Sequence, residues 1–294
     1  MFFFNKKHTI AASGILQGAA DHHSHILPGV DDGVETIDEA LRILSAYESI
    51  GIKELWLTPH IMEDIPNTPE KLKARFAQLL AAYKGNITLH LAAEYMIDNH
   101  LRELLQETPP RFRGEVVEDR REEKKTKEYP QGATKTAALQ ETNNSPSFER
   151  GTSNAESIAE GDRSTLLPIG KAGKHILVET SYFNPPIKFK ETLRQIRSMG
   201  YYPLLAHPER YMYMDEAEYR SLREEGVKFQ LNLASLAGRY GKIVKKKALW
   251  LLENGFYDVA GSDLHCEDTI EYLLKSKIKK KNVISIAKTL KSGI

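Results

Sequence analysis

The chain has 294 residues, enough for one large α/β domain or two small ones, and either can bury a full core. Its 41 Lys plus Arg stand against 40 Asp plus Glu, so bulk charge gives no case for nucleic acid or an anionic membrane as a partner. A single cysteine, Cys266, excludes an internal disulfide framework and fits a reducing compartment, and no run approaches the ~20 apolar residues of a bilayer span.

At the N-terminus, Met1-Phe2-Phe3-Phe4, Lys6-Lys7 and the stretch 10–20 imitate a signal peptide only loosely. Ser13, Gly14, Gln17 and Gly18 interrupt the apolar part, and cleavage near Ala20 would strip the strand that presents His23. Residues 1–19 are therefore read as an irregular arm on a cytoplasmic protein, ahead of a domain over 20–294. Asp21-His22-His23-Ser24-His25 follows. On a strand, residues i and i+2 share a face, so His23 and His25 can converge on one ion while His22 faces away. Asp31 and Asp32 come next, in the turn-rich Pro28-Gly29-Val30-Asp31-Asp32-Gly33.

Thr36-Ile37-Asp38-Glu39 has a capping-box pattern and opens a helix that runs to Gly51. Apolar runs then predict strands over 55–57, 87–92, 176–178, 202–206 and 257–261. Helical spacing appears over 69–83, 190–199, 215–225 and 245–253. Residues 113–163 are charged and rich in Ser, Thr, Asn and Gly without sustained apolar period, which predicts a disordered insertion. The basic tract 275–281 lacks interleaved aromatic residues and reads as a solvated helix end rather than a nucleic-acid patch.

Strand alternating with helix argues a mostly parallel sheet, open or closed into a barrel. His60, Glu179 and His207 each stand where a predicted strand hands over to its loop, and Ala93-Glu94 and Ser262-Asp263-Leu264-His265 repeat the pattern. In a parallel α/β barrel those strand ends share one face, where active sites are built. Imidazole with carboxylate and no thiolate is the palette of Zn, Mn or Fe in a hydrolytic site. The donors exceed what one ion can use, which implies a multinuclear site suited to phosphoester hydrolysis. Arg210, in His207-Pro208-Glu209-Arg210-Tyr211, is placed to bind a phosphate oxygen. His90, His100, Tyr211 and Tyr213 read as packing or surface residues, and His175 is left unassigned.

Taken in order, Asp21 to Gly33, Thr58-Pro59-His60, Ala93-Glu94-Tyr95, Val178-Glu179, Ala206 to Tyr211 and Gly261 to His265 resemble the polymerase and histidinol phosphatase (PHP) family. The branch they most resemble is that of the bacterial tyrosine-protein phosphatases of capsular and exopolysaccharide operons. The resemblance implies an α/β fold, a distorted (β/α)7 TIM-like barrel. It implies three divalent metal ions, manganese first, with iron or zinc as alternatives. His23 and His25 would bind the first with Glu94 and Asp263; Glu94 would bridge to a second held by Glu179 and His207; Asp32, His60 and His265 would bind the third. Family spacing selects Asp32 over Asp31. Arg210 would bind substrate phosphate, the nucleophile would be a metal-bound hydroxide, and Cys266 has no role. Where some relatives carry another arginine after the Asp-x-His motif, Glu267, Asp268 and Ile270 stand here. The implied substrate is the phosphotyrosine-containing tail of a bacterial tyrosine kinase. A small phosphomonoester such as histidinol phosphate, or a non-catalytic metal-binding scaffold, are the alternatives.

Overall fold

The computed structural model describes residues 7–110 and 166–294, all within one compact unit. The segment 113–163, expected to be disordered, lies outside the described residues. The first half of the chain forms β1 (Lys7–Thr9), α1 (Ile10–Ser13), β2 (Ala20–Ser24), α2 (Ile37–Ser49), β3 (Glu54–Leu57), β4 (His60–Ile61), α3 (Pro69–Ala82), β5 (Thr88–Leu91), β6 (Glu94–Met96) and α4 (Asn99–Glu107). The second half forms β7 (His175–Glu179), α5 (Phe189–Ser198), β8 (Tyr202–Ala206), a 3₁₀ turn (Pro208–Arg210), α6 (Glu216–Glu224), β9 (Lys228–Asn232), α7 (Leu233–Ala237), α8 (Gly241–Glu253), β10 (Val259–Gly261), α9 (Glu267–Lys275), β11 (Lys277–Lys279) and α10 (Lys280–Leu290).

Local chemistry accounts for these elements. The Thr36 hydroxyl accepts the Glu39 N–H at 3.2 Å and starts α2, whose buried face is Ala40, Ile43, Leu44 and Tyr47 at helical spacing. Along the strands, alternate residues point to opposite faces. Leu55, Leu57, Ile176, Val178 and Leu205 pack in the main core with the helices, while Trp56, Leu177, Leu204, Ala206 and Val259 form a second cluster. Each fully buried Leu, Ile or Val contributes about 2 kcal/mol by leaving water.

Six strands pair in parallel in the order β10-β9-β8-β7-β6-β4, and three in the order β2-β3-β5. Thr58-Pro59 separates β3 from β4, and Ala92-Ala93 separates β5 from β6. Ala92 N–H still donates to Leu57 at 2.9 Å and Glu94 N–H to Pro59 at 3.1 Å, so the paired runs stay side by side across both breaks. At the far edge, Asp263 N–H donates to His23 at 2.8 Å and His25 N–H to Leu264 at 2.9 Å. The result is a mixed α/β fold on a curled parallel sheet, a half-barrel in form.

Several expectations are corrected. Within the N-terminal arm, residues 7–13 are regular: β1 pairs antiparallel with β11, and the Thr9 hydroxyl caps α1. The basic tract 275–281 is the end of α9, all of β11 and the start of α10, not one helix end. Strand β9 was not expected, because Gln230 and Asn232 break its apolar run; both are fully buried. Helix α8 begins at Gly241, ahead of the expected Lys245. Among the described residues no helix is long and apolar enough to cross a membrane.

Candidate metal centre

The strand ends bring nine side chains together. His23 lies on β2 with His25 just beyond it, His60 opens β4, Glu94 opens β6, and Glu179 closes β7. Register places His60 opposite Glu94 and Met96 opposite Glu179. His207 follows β8, Asp263 and His265 follow β10, and Asp32 reaches in from the loop before α2. Donor atoms fall into three groups, each within 4.8 Å: His25, Asp32, His60 and His265; His23, Glu94, His207 and Asp263; and His60, Glu94 and Glu179. This partition differs from the one the resemblance implied, since His25 and His207 change groups and His60 also joins Glu94 and Glu179. His25 lies between the sets, its Nε2 3.3 Å from Glu94 and 3.5 Å from Asp263.

Two of the nine sit on unfavourable backbone. His207 (φ 32°) and Asp263 (φ 53°) occupy the left-handed region, which non-glycine residues seldom adopt and which marks functional turns. Gly261 permits the close approach of β10 to β2, for a Cβ there would meet the His23 Cβ at 2.5 Å.

Neighbouring groups aim the imidazoles. Gln230 Oε1 accepts the His207 backbone N–H at 3.1 Å, so the His23 Nδ1 that faces the same oxygen at 3.1 Å must carry a proton and donate it. His25 Nδ1 likewise donates to Asp31 Oδ2 at 2.8 Å. Both Nε2 atoms therefore turn inward, 3.2 Å apart, with Glu94 Oε2 at 3.0 and 3.3 Å and Asp263 Oδ1 at 3.5 Å from each. Four acceptors aimed at one point require positive charge between them. His60 Nδ1 is buried without a hydrogen-bond partner, 3.3 Å from both Glu94 and Glu179. These donors fit divalent cations of the kind that histidine and carboxylate hold.

Electrostatics show the same demand for positive charge, which either a cation or protons on the imidazoles can meet. Burial pushes His23 and His25 down, but the carboxylates beside them, Glu94 with Asp263 and Asp31 with Glu94 respectively, overturn this and hold both above the usual histidine range. Burial, then the Glu94 and Asp263 charges, lifts Glu179 well above the carboxylate range. His60 falls to about 4 through burial and then the charge on His25.

Arg210 is fixed rather than swinging. Its guanidinium lies 4.4 Å from the Tyr182 ring centre and 4.2 Å from that of Tyr240, and it donates to Asp263 Oδ2 at 2.7 Å. Asn232 Nδ2 donates to the same oxygen at 2.8 Å. A cleft of about 560 Å³ opens above these groups.

Sequence reasoning missed Gln230, Asn232, Tyr182 and Tyr240, and the orienting role of Asp31. The alternation of Gln230 and Asn232 inside an apolar stretch was a usable signal, since polar residues two apart on a strand share a face. Asp31 was weighed against Asp32, and each has a place: Asp32 Oδ1 stands 3.6 Å from His60 and His265, while Asp31 orients His25. His22 and His90 take no part. His22 Nδ1 faces the Ala260 carbonyl at 3.3 Å, and His90 stacks on Trp56.

With the geometry in place, comparison with known proteins decides the family. The model for capsular polysaccharide synthesis proteins, CpsB/CapC, matches residues 19–112 and 121–283. The chain belongs to the CpsB/CapC family. A Staphylococcus aureus protein named CapC is 22% identical over 265 residues, covering 87% of this chain and 80% of its own. Tyrosine-protein phosphatase YwqE of Bacillus subtilis (strain 168) is 25% identical over 249 residues, 83% of this chain and 76% of its own. The fold is similar, at a TM-score of 0.60 and 21% identity, to a crystal structure from work on YwqE of Bacillus subtilis and CpsB of Streptococcus pneumoniae, described as unique metal-dependent tyrosine phosphatases. That likeness covers 85% of this chain and 81% of the other. In this CpsB/CapC protein all nine candidate ligands fall inside the matched residues.

Proposed function

We propose that this CpsB/CapC protein is a metal-dependent protein-tyrosine phosphatase. The observation that carries the reading is the convergence of nine histidine and carboxylate donors beneath a cleft that also holds Arg210. Its relatives' names point to the same activity.

We infer further that the seven parallel runs, with β3–β4 and β5–β6 each counted once, make a distorted (β/α)7 barrel; the bonds from Asp263 to His23 and from His25 to Leu264 support closure at β10 and β2. His23, His25, Asp32, His60, Glu94, Glu179, His207, Asp263 and His265 would hold the ions. Three ions, manganese first, suit the three donor groups. Such cations supply a lowered pKa for a coordinated water and charge neutralisation for a phosphoryl group. The protein's own part is positioning. Asp31 and Gln230 fix the imidazole tautomers, and Asn232 and Arg210 hold Asp263. The remaining guanidinium donors of Arg210, clamped between two rings, bind a phosphate oxygen. The substrate would be the phosphotyrosine tail of a bacterial tyrosine kinase that controls capsular or exopolysaccharide synthesis, met in the cytoplasm.

The deciding experiment is hydrolysis of a phosphotyrosine peptide and of histidinol phosphate, side by side, with and without added manganese, with metal content measured on the same preparation. Metal-dependent hydrolysis favouring the peptide is expected. Bound metal without hydrolysis would overturn the assignment.

A further inference from the structure

The lining of the cleft is of two kinds. Arg210, Arg239 and Tyr240 contribute charge and aromatic surface; Met62, Ile65, Met96 and Phe183 contribute the apolar part of the lining. The apolar residues come from neighbouring positions in the sheet. Met62 follows β4, Met96 ends β6, and Phe183 stands four residues past Glu179 at the end of β7, and these three strands are adjacent and parallel. Ile65 is folded back onto Met62 by reciprocal backbone bonds of 3.2 and 3.1 Å. The buried Asn67 anchors that turn by donating to the Val30 and His60 carbonyls, each at 2.9 Å.

Phe183 is the unusual member, 73% exposed. A lone exposed apolar side chain carries little weight. Here it stands beside a cluster of candidate metal ligands and on a segment that is itself held. Its neighbour Tyr182 lies under Arg210 and stacks on Tyr211, and the Tyr182 carbonyl accepts the Met212 N–H at 2.7 Å.

We propose that Met62, Ile65, Met96 and Phe183 form an aryl-binding wall, with Phe183 as the residue that selects a phosphorylated phenol ring over an alkyl phosphate. This rests on the phosphatase reading and adds the residues that choose its substrate. A ligand that places a dianionic phosphate at the donor cluster and Arg210 must lay the body of its side chain along the cleft. A phenyl ring fits because it packs against the Phe183 ring and meets the thioethers of Met62 and Met96. The single methylene of a phosphoserine leaves that wall uncovered.

The test uses the full chain loaded with manganese. Phe183→Ala is expected to raise KM for a phosphotyrosine peptide about tenfold with kcat little changed, since ring contacts of this kind bind ground and transition states alike. Affinity for the same peptide carrying phosphonomethylphenylalanine, measured by calorimetry, should fall by a similar factor, and Phe183→Trp should restore both. The inhibition constant of inorganic phosphate, which has no ring, should stay unchanged. Equal weakening of phosphate and peptide, or no change in either, overturns the aryl wall. Failure of the wild-type protein to hydrolyse any phosphotyrosine peptide overturns the phosphatase reading and the wall with it. Hydrolysis that is indifferent to Phe183→Ala overturns the wall alone.

Discussion

Asp31 Oδ2 accepts the His25 Nδ1 proton at 2.8 Å and the backbone N–H of His60 at 3.0 Å. One buried carboxylate thus orients a side chain from the loop after β2 and fixes the backbone at the start of β4, and both residues belong to the donor cluster. Carboxylates behind metal-binding histidines typically change metal affinity by about 10–100-fold. Asp31→Asn should therefore weaken manganese binding within that range, read by chelator competition, while the circular dichroism spectrum stays unchanged. Undiminished affinity would show that the His25 tautomer does not depend on Asp31.

Glu94 is common to two donor groups. Glu94→Gln keeps size but replaces one acceptor oxygen by an NH2 donor and removes the charge that faces His23, His25, His60 and His207. It should lower kcat on a phosphotyrosine peptide by at least about a hundredfold and reduce metal content, with the fold retained. Full activity in this variant would sink the metal-dependent reading.

Arg210 separates substrate binding from metal binding. Arg210→Lys preserves one charge but loses the planar fork and its stacking between Tyr182 and Tyr240. The inhibition constant of inorganic phosphate should rise about tenfold or more. Metal content should hold, because Asn232 still donates to Asp263. Loss of metal instead would show that Asn232 alone does not hold Asp263 in place.

His22 gives a pH dependence away from substrate. Burial holds its pKa down to about 4, against ~6.5 in an unfolded chain. Between those values the unfolded chain binds the extra proton, so stability is full above about 6.5 and falls as pH drops toward 4. The full loss is on the order of 3 kcal/mol, one pKa unit being worth about 1.4 kcal/mol. In urea melts with chelator present, the wild type should lose more stability from pH 7 to pH 4.5 than His22→Gln does. Identical slopes would remove His22 as a contributor.

His60, Glu179 and His207 were legible because each follows an apolar run, and a parallel sheet collects strand ends on one side. Helices α2, α3, α5 and α6 were legible from apolar spacing, and α2 also from its capping box. Strand β9 was not, because its buried Gln230 and Asn232 serve the cluster rather than the core and so disguise the apolar pattern. The roles of Asp31, Tyr182 and Tyr240 were equally hidden, since they depend on contacts between segments far apart in sequence. Proximity alone also could not divide nine donors among ions: His25 stands within reach of two groups, and only side-chain direction tells them apart.

The seam between His23 and Asp263 has a consequence in time. On the proposed assignment, a growing chain displays His23 some 240 residues before Asp263, which belongs to the same donor group. A nascent chain halted before β10 lacks both that carboxylate and the strand whose following loop bonds to β2 through Asp263 N–H and the His23 carbonyl. Cation capture then waits for β10, and a loaded ion would tie β2 to β10.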